Sequence, residues 1–246
     1  MNGRRRVCML TGAGGVLGTA FCDRLRAAYD IVAVHRFTPP RAPSQDRALV
    51  DPLNPEARLP ENEHPVFAVQ ADVTRPEDVE RLVDLALARY GTFDLLVNAA
   101  ARNTREPVLD ADRFERSLRE HVEVNVLGPL RLCGALTAAC WREDPGGNRA
   151  RRRNVVNVSS TAGVYLYGGQ RQAAYSVSKA ALNWLTCHLA EELDPIGVRA
   201  NVVAPNTFPG LVATERVLDG DRGAGRRRAV RRDRAHRRGP RRPCLS

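Results

Sequence analysis

A short apolar run, Val7–Leu10, stops at Thr11-Gly-Ala-Gly-Gly-Val-Leu-Gly18, and a helical pattern begins directly after it. No other feature restricts the fold as much. In the helical segment Leu17, Ala20, Phe21, Leu25 and Ala28 recur on one side, with Asp23, Arg24 and Arg26 on the other. A strand, a Gly-rich turn and a helix form a dinucleotide-phosphate site. The glycines let the backbone approach a pyrophosphate, and the helix N-terminus offers unpaired N–H groups and a positive dipole end. Gly12, Gly14, Gly15, Val16, Leu17 and Gly18 are therefore candidate ligands, the alternative being a tight turn with no ligand.

The rest of the chain repeats the alternation. Ile31–Val34 reads as a second strand and ends in His35-Arg36. At this point in such a unit an acid accepts the ribose 2′-hydroxyl of NAD, whereas an arginine suits the 2′-phosphate of NADP. Arg36 has no acid beside it in sequence, so NADP is expected over NAD, the alternative being a solvated arginine at a strand end. Residues 38–65 carry seven prolines and read as loop. Val66–Val69 resumes strand character, and Pro76–Tyr90 is an amphipathic helix. Phe93–Val97 is a strand running into Asn98-Ala-Ala-Ala101, whose small residues admit a flat cofactor.

Phe114–Cys140 reads as one long helix, with Asn125 among apolar neighbours. A mid-helix Asn has poor propensity and needs a partner, unless it is exposed or bridged by water. Arg142–Arg153 reads as a Gly- and Arg-rich surface loop. Val155–Val158 is a fifth strand ending in Ser159-Ser160, and Val198–Val203 a sixth ending in Ala204-Pro205. This alternation predicts an α/β fold, a Rossmann-like doubly wound parallel sheet of six strands covered on both faces. Asn98, Ser160 and Pro205 then all fall at the carboxyl edge, where ligands bind in such sheets.

Between the fifth and sixth strands lies a helix reaching to about Leu193, with Tyr175 and Lys179 four residues apart. That spacing puts both on one helical face. An ammonium beside a phenol favours the phenolate, lowering the Tyr pKa from about 10 and fitting it for proton transfer. The alternative is a solvated Lys beside a half-buried Tyr.

A chain of 246 residues with 43% hydrophobic content is long enough to bury a substantial core. No run approaches a membrane span, and Val7–Leu10 is too short for a signal-peptide core, so a cytoplasmic protein is expected. The six cysteines, Cys8, Cys22, Cys133, Cys140, Cys187 and Cys244, show no metal-ligand spacing. Five of them sit in apolar surroundings and are expected to be buried free thiols, with no metal site. Of the net charge of +10, residues 217–246 supply +8, from eleven Arg and three Asp. Nucleic-acid binding could rest only on that tail, which has neither lysine nor aromatic residue.

With these motifs in place, the sequence resembles the short-chain dehydrogenase/reductase family, over roughly residues 6–215. The resemblance is carried by Thr11–Gly18, Asp72-Val73, Asn98–Ala101, Asn125, Asn157-Val-Ser-Ser160, Tyr175-Ser-Val-Ser-Lys179 and Asn201-Val-Val-Ala-Pro205, in family order. It implies a nicotinamide-dependent oxidoreductase interconverting a ketone and a secondary alcohol. Tyr175 would be the acid/base, Lys179 would lower its pKa and bind the nicotinamide ribose, and Ser160 would polarise the carbonyl. Asn125 would hold a water in a proton relay. Asp72 and Val73 would flank the adenine, with Asn98, Ala99 and Ala100 on its ribose side and Pro205 also at the cofactor.

Four departures from the family pattern stand out. The Gly motif has Val16 where Gly is commonest, and its spacing of three resembles the sugar-nucleotide-modifying branch. Asn98-Ala-Ala-Ala101 replaces Asn-Asn-Ala-Gly. The Ser160–Tyr175 interval is about two residues long for the family, so Val164–Gln172, with Tyr165 and Tyr167, should bulge outward. After Leu218 no apolar run can supply the family's seventh strand. The organisation expected is a catalytic domain over 1–218 and a disordered Arg-rich tail over 219–246. That tail reads as a shifted frame in a GC-rich coding sequence or as a basic arm. A nucleotide-binding protein without turnover, or an epimerase or dehydratase, are the competing functions. Homo-oligomers remain compatible, though weakened by the altered C-terminus.

Overall fold

Along β1 (Arg6–Thr11), Val7 and Met9 join one apolar cluster while Cys8 and Leu10 join another. In β2 (Tyr29–His35) the same alternation sends Val32 and Val34 one way and Ile31 and Ala33 the other. A period of two with both faces apolar is the signature of strands buried on each side. The computed structural model, which describes residues 5–42 and 66–206, shows the sheet this requires. It adds β3 (Phe67–Gln70), β4 (Leu95–Asn98), β5 (Asn154–Val158) and β6 (Arg199–Val203). All six strands are parallel, in the order β3-β2-β1-β4-β5-β6.

On one face pack α2 (Pro76–Tyr90), α4 (Gly128–Leu136) and α6 (Ala173–Leu193), through Leu82, Leu132 and Leu189 among others. On the other lies α1 (Val16–Leu25), through Cys22 with Phe21 and Leu25. The sequence dictates α2 in full. Pro76 occupies the first turn, Glu77 and Asp78 complement the positive end of the dipole, and Gly91 ends the helix at φ 69°. Its apolar positions Val79, Leu82, Val83, Ala86 and Tyr90 are all buried.

The long helix differs from expectation. α3 (Ala111–Val122) is capped by the Asp110 side chain and passes into a π-helical turn, Glu123–Leu127, before α4. A second such turn, Thr137–Trp141, succeeds α4. A π turn inserts a residue and rotates the helix beyond it, and such turns concentrate at functional sites. Asn125 lies in the first. Contrary to the expectation of no membrane-length run, one 18-residue window of Ala111–Trp141 reaches a mean hydropathy of 1.2. Its apolar residues Leu132, Cys133, Leu136 and Trp141 are buried in the protein core.

The expected surface loop at 142–153 is also corrected: it contains α5 (Pro145–Arg151), capped by Asp144. Behind it lies a buried polar cluster at the amino edge of the sheet. Asn148 donates to the carbonyls of Trp141 (2.6 Å) and Ile196 (2.7 Å), while Arg151 forks onto buried Asp94, which also accepts the Val7 N–H at 2.9 Å. Arginines in a run read as solvent-exposed, but Arg153 is only 4% exposed. The cysteine expectation holds for Cys8, Cys22 and Cys133; Cys140 is half-buried and Cys187 is exposed on α6. No group of potential metal ligands occurs among the described residues. The anticipated tail, the lid after Pro205, Cys244 and most of the proline-rich loop lie outside the described residues.

Candidate active site

Register brings the motifs to one level. Thr11 opposes Asn98 across β1 and β4, and Asn98 opposes Asn157 across β4 and β5. The strand order reverses between β1 and β4, so the crevice at their carboxyl ends is where a dinucleotide fits. The Gly turn lines it. Gly12 has φ +70°, and a Cβ there would lie 2.7 Å from the Ala100 nitrogen. A Cβ on Gly18 would lie 2.2 Å from the Gly12 carbonyl oxygen, so the helix can start this close to the strand only with glycine. Gly15 caps α1 without a side-chain hydrogen bond, and the first turn carries no acid. The N–H groups of Val16, Leu17 and Gly18 have no acceptor within the helix. This turn fits a diphosphate. Thr11 Oγ1 accepts from the backbone of both Ala99 and Ala100 at 3.1 Å, holding the opposite wall although its sequence departs from the family form.

Asn98 donates to Asn157 Oδ1 at 2.8 Å, and Asn157 to Thr186 Oγ1 at 2.9 Å, tying the ends of β4 and β5 to α6. Ser160 lies just beyond β5. Its hydroxyl caps the 3-10 turn Thr161–Gly163 by accepting from Ala162 N–H at 3.1 Å. That turn packs tightly on α6: a Cβ on Gly163 would lie 2.8 Å from the Lys179 carbonyl carbon. Pro205 accepts from Thr161 N–H at 3.1 Å and so lies against the same turn. The extra loop residues do point outward, Leu166 being 97% exposed, while Tyr167 donates to Thr161 Oγ1 at 2.9 Å.

Tyr175 and Lys179 share one face of α6, with the Lys179 ammonium 5.8 Å from the phenol ring centre. Lys179 is 2% exposed and donates to the Val158 carbonyl at 2.8 Å. Burial pushes its pKa down from the ordinary 10.5 to about 8. The expected lowering of the Tyr175 pKa is corrected. Burial raises it, and the nearby Ser160 side chain offsets only part of that rise. The charge of the lysine is visible in the sequence; the depth at which both groups sit is not.

Asn125 is fully buried, so an exposed side chain does not describe it. Its amide donates to the Arg102 carbonyl (3.0 Å) and to Ser178 Oγ (2.9 Å), and its oxygen accepts from Arg102 N–H (2.8 Å). Ser178 in turn donates to the Tyr175 carbonyl at 2.7 Å. One turn before Asn125, the buried His121 meets the Tyr175 ring edge-on, with centroids 6.4 Å apart and planes at 67°. Its Nδ1 donates to the Ser117 carbonyl at 2.7 Å, which leaves Nε2 to accept from Thr104 N–H at 3.2 Å. Burial lowers the His121 pKa and keeps the imidazole neutral. Sequence reasoning missed His121 and Ser178; the interval of four from His121 to Asn125 was the available signal.

Val73 packs on Gly128, where a Cβ would lie 2.9 Å from the Val73 side chain. Arg36 is not free of acids. Asp72, arriving from the end of β3, places Oδ2 2.9 Å from Arg36 Nε. Gly14 is required by the loop after β2, since a Cβ there would lie 1.7 Å from the Thr38 carbonyl oxygen.

A family model for short chain dehydrogenases matches residues 6–218 of the chain. The protein belongs to the short-chain dehydrogenase/reductase family. This short-chain dehydrogenase is 31% identical over 222 residues to trans-4-hydroxycyclohexanecarboxylate dehydrogenase of Sinomonas cyclohexanicum, covering 89% of this chain and 77% of that one. It is 28% identical over 210 residues to 3-oxoacyl-(acyl-carrier-protein) reductase of Synechocystis, covering 85% and 75%. The crystal structure of a short-chain dehydrogenase from Streptomyces avermitilis matches with a TM-score of 0.66 at 31% identity, covering 86% of this chain and 69% of that one. This short-chain dehydrogenase is therefore an oxidoreductase acting on CH–OH or C=O groups, in a family that uses NAD or NADP.

Proposed function

We propose that the protein interconverts a small-molecule ketone and a secondary alcohol, with NADP in preference to NAD and Tyr175 as the acid/base. The observation that carries this reading is that Tyr175 and the buried Lys179 share one face of α6, the ammonium 5.8 Å from the phenol ring centre, with the turn capped by Ser160 packed on the same helix. A bound nicotinamide supplies or accepts the hydride. In the reducing direction the substrate oxygen lies between Ser160 and Tyr175, where both hydroxyls donate to it. The raised pKa keeps Tyr175 protonated at neutral pH, as a proton donor must be.

As Tyr175 gives up its proton, the phenolate becomes a counter-charge for an ammonium that burial otherwise penalises. At this depth their attraction is stronger than in water. Lys179 has three N–H donors and Val158 takes one, so the others are assigned to the cofactor ribose. Asn125 uses both amide N–H groups on protein, so it can offer a relay water only acceptors. The first-turn amides of α1 would hold the diphosphate, and Arg36 the 2′-phosphate.

The names of two relatives set the first substrates: 4-oxocyclohexanecarboxylate and a 3-oxoacyl thioester. Loss of NADPH absorbance with either, or with another ketone of a panel, supports the proposal. NADPH binding with no turnover on the whole panel contradicts it.

A further inference from the structure

The Arg36–Asp72 pair lies at the carboxyl edge, because β2 and β3 are parallel neighbours with His35 opposite Gln70. The two partners are held very differently. Asp72 is fixed by its own turn: Oδ1 accepts from Thr74 N–H at 3.0 Å and from Thr74 Oγ1 at 2.7 Å. Its backbone N–H donates to Asp78 Oδ2 at 2.9 Å. Only Oδ2 is left to face Arg36. The Arg36 side chain is 53% exposed, against 15% for Asp72, and its guanidinium lies 4.7 Å from the Phe37 ring centre. It is a long side chain on a surface, tethered by one ion pair and one ring.

We propose that Asp72 is a specificity-determining residue that competes with the cofactor's 2′-phosphate for Arg36. The proposal rests on the dinucleotide-binding reading of the site and refines its preference for NADP. A 2′-phosphate engages Arg36 best when the guanidinium turns its fork toward it, which requires release from Oδ2. With a 2′-hydroxyl the pair stays closed and nothing is lost. The pair therefore admits both cofactors and limits how strongly the phosphorylated one is favoured.

The test uses fragments, so that catalysis plays no part. Dissociation constants for 2′,5′-ADP and for 5′-AMP are measured by calorimetry on the full chain, and their ratio defines the preference. The Asp72→Asn side chain keeps an oxygen for Thr74 and so preserves the turn. It should raise the preference for 2′,5′-ADP by about tenfold, a change of about 1.4 kcal/mol. Any altered contact with adenine affects both ligands and cancels in the ratio. Arg36→Gln should bring the two constants to within a few-fold of each other. In that background Asp72→Asn should shift the ratio less than threefold, which separates competition for Arg36 from simple repulsion. An unchanged ratio in Asp72→Asn overturns the proposal. A lowered ratio overturns it too, because the carboxylate would then be orienting the guanidinium. If 2′,5′-ADP binds wild type well and only the Asp72 result fails, the cofactor reading survives. If neither fragment binds wild type, both fall.

Discussion

Replacing Lys179 with Met should remove activity while making folding less sensitive to alkaline pH. The lysine is 2% exposed and its one acceptor is the Val158 carbonyl at 2.8 Å. Its pKa falls from 10.5 when unfolded to about 8 when folded. At about 1.4 kcal/mol per pH unit, that gap penalises the folded state by about 3 kcal/mol at pH 7. Between pH 8 and 10.5 the unfolded chain holds more protons than the folded one. Stability contributed by this site therefore rises with pH across that window. Met removes the titration but leaves Val158 without a partner, at a cost of about 1–3 kcal/mol. The two terms nearly cancel at neutral pH, so absolute stability there decides little.

The pH dependence of the difference decides. Urea unfolding of wild type and Lys179→Met at pH 7 and at about pH 9.5 should show wild type gaining about 2 kcal/mol relative to the variant. Other groups titrate equally in both proteins and cancel. A difference that stays flat between the two pH values would refute the reasoning, since Lys179 would then titrate as an ordinary solvated lysine.

Three further outcomes rest on the same geometry. Gly18→Ala places a methyl carbon 2.2 Å from the Gly12 carbonyl oxygen, so NADPH affinity in a fluorescence titration should fall at least tenfold, with a lowered Tm. Arg151→Ala leaves buried Asp94 without its bidentate partner and should cost on the order of 3 kcal/mol in urea unfolding, with activity per folded molecule unchanged. His121→Leu keeps the volume near Tyr175 but removes the ring edge and the Thr104 acceptor. It should lower kcat more than it changes NADPH affinity in the same titration.

Much of the fold could be read from periodicity. The alternation in Val7–Leu10 and Ile31–Val34 reports two buried faces, and Pro76 and Gly91 bracket α2 within the sequence itself. Local signals failed where long-range contacts decide. Nothing near Asn148 or Arg153 announces burial; their partners are Trp141, Ile196 and Thr92, brought there by the fold. The two π turns in 111–141 were not legible either, since the apolar periodicity reads as one continuous helix. At the site, the residues Ser160, Tyr175, Lys179 and Asn125 were legible because each comes after a strand or sits in a recognisable motif. Their electrostatics were not, because a pKa depends on depth, and burial reverses the shift expected for Tyr175. Arg36 shows the same limit: the acid beside it comes from 36 residues downstream, where only sheet pairing places it.

In the proposed reaction Tyr175, backed by Lys179, transfers the proton. The most direct test of that role is the rate of NADPH oxidation with the best ketone of the panel for wild type and Tyr175→Phe, each checked for NADPH binding by fluorescence. Phe keeps the ring against His121 and removes only the hydroxyl. The expected result is unchanged cofactor binding and a loss of turnover of at least about 100-fold. A variant that binds NADPH and keeps a tenth or more of the wild-type rate would contradict the assignment.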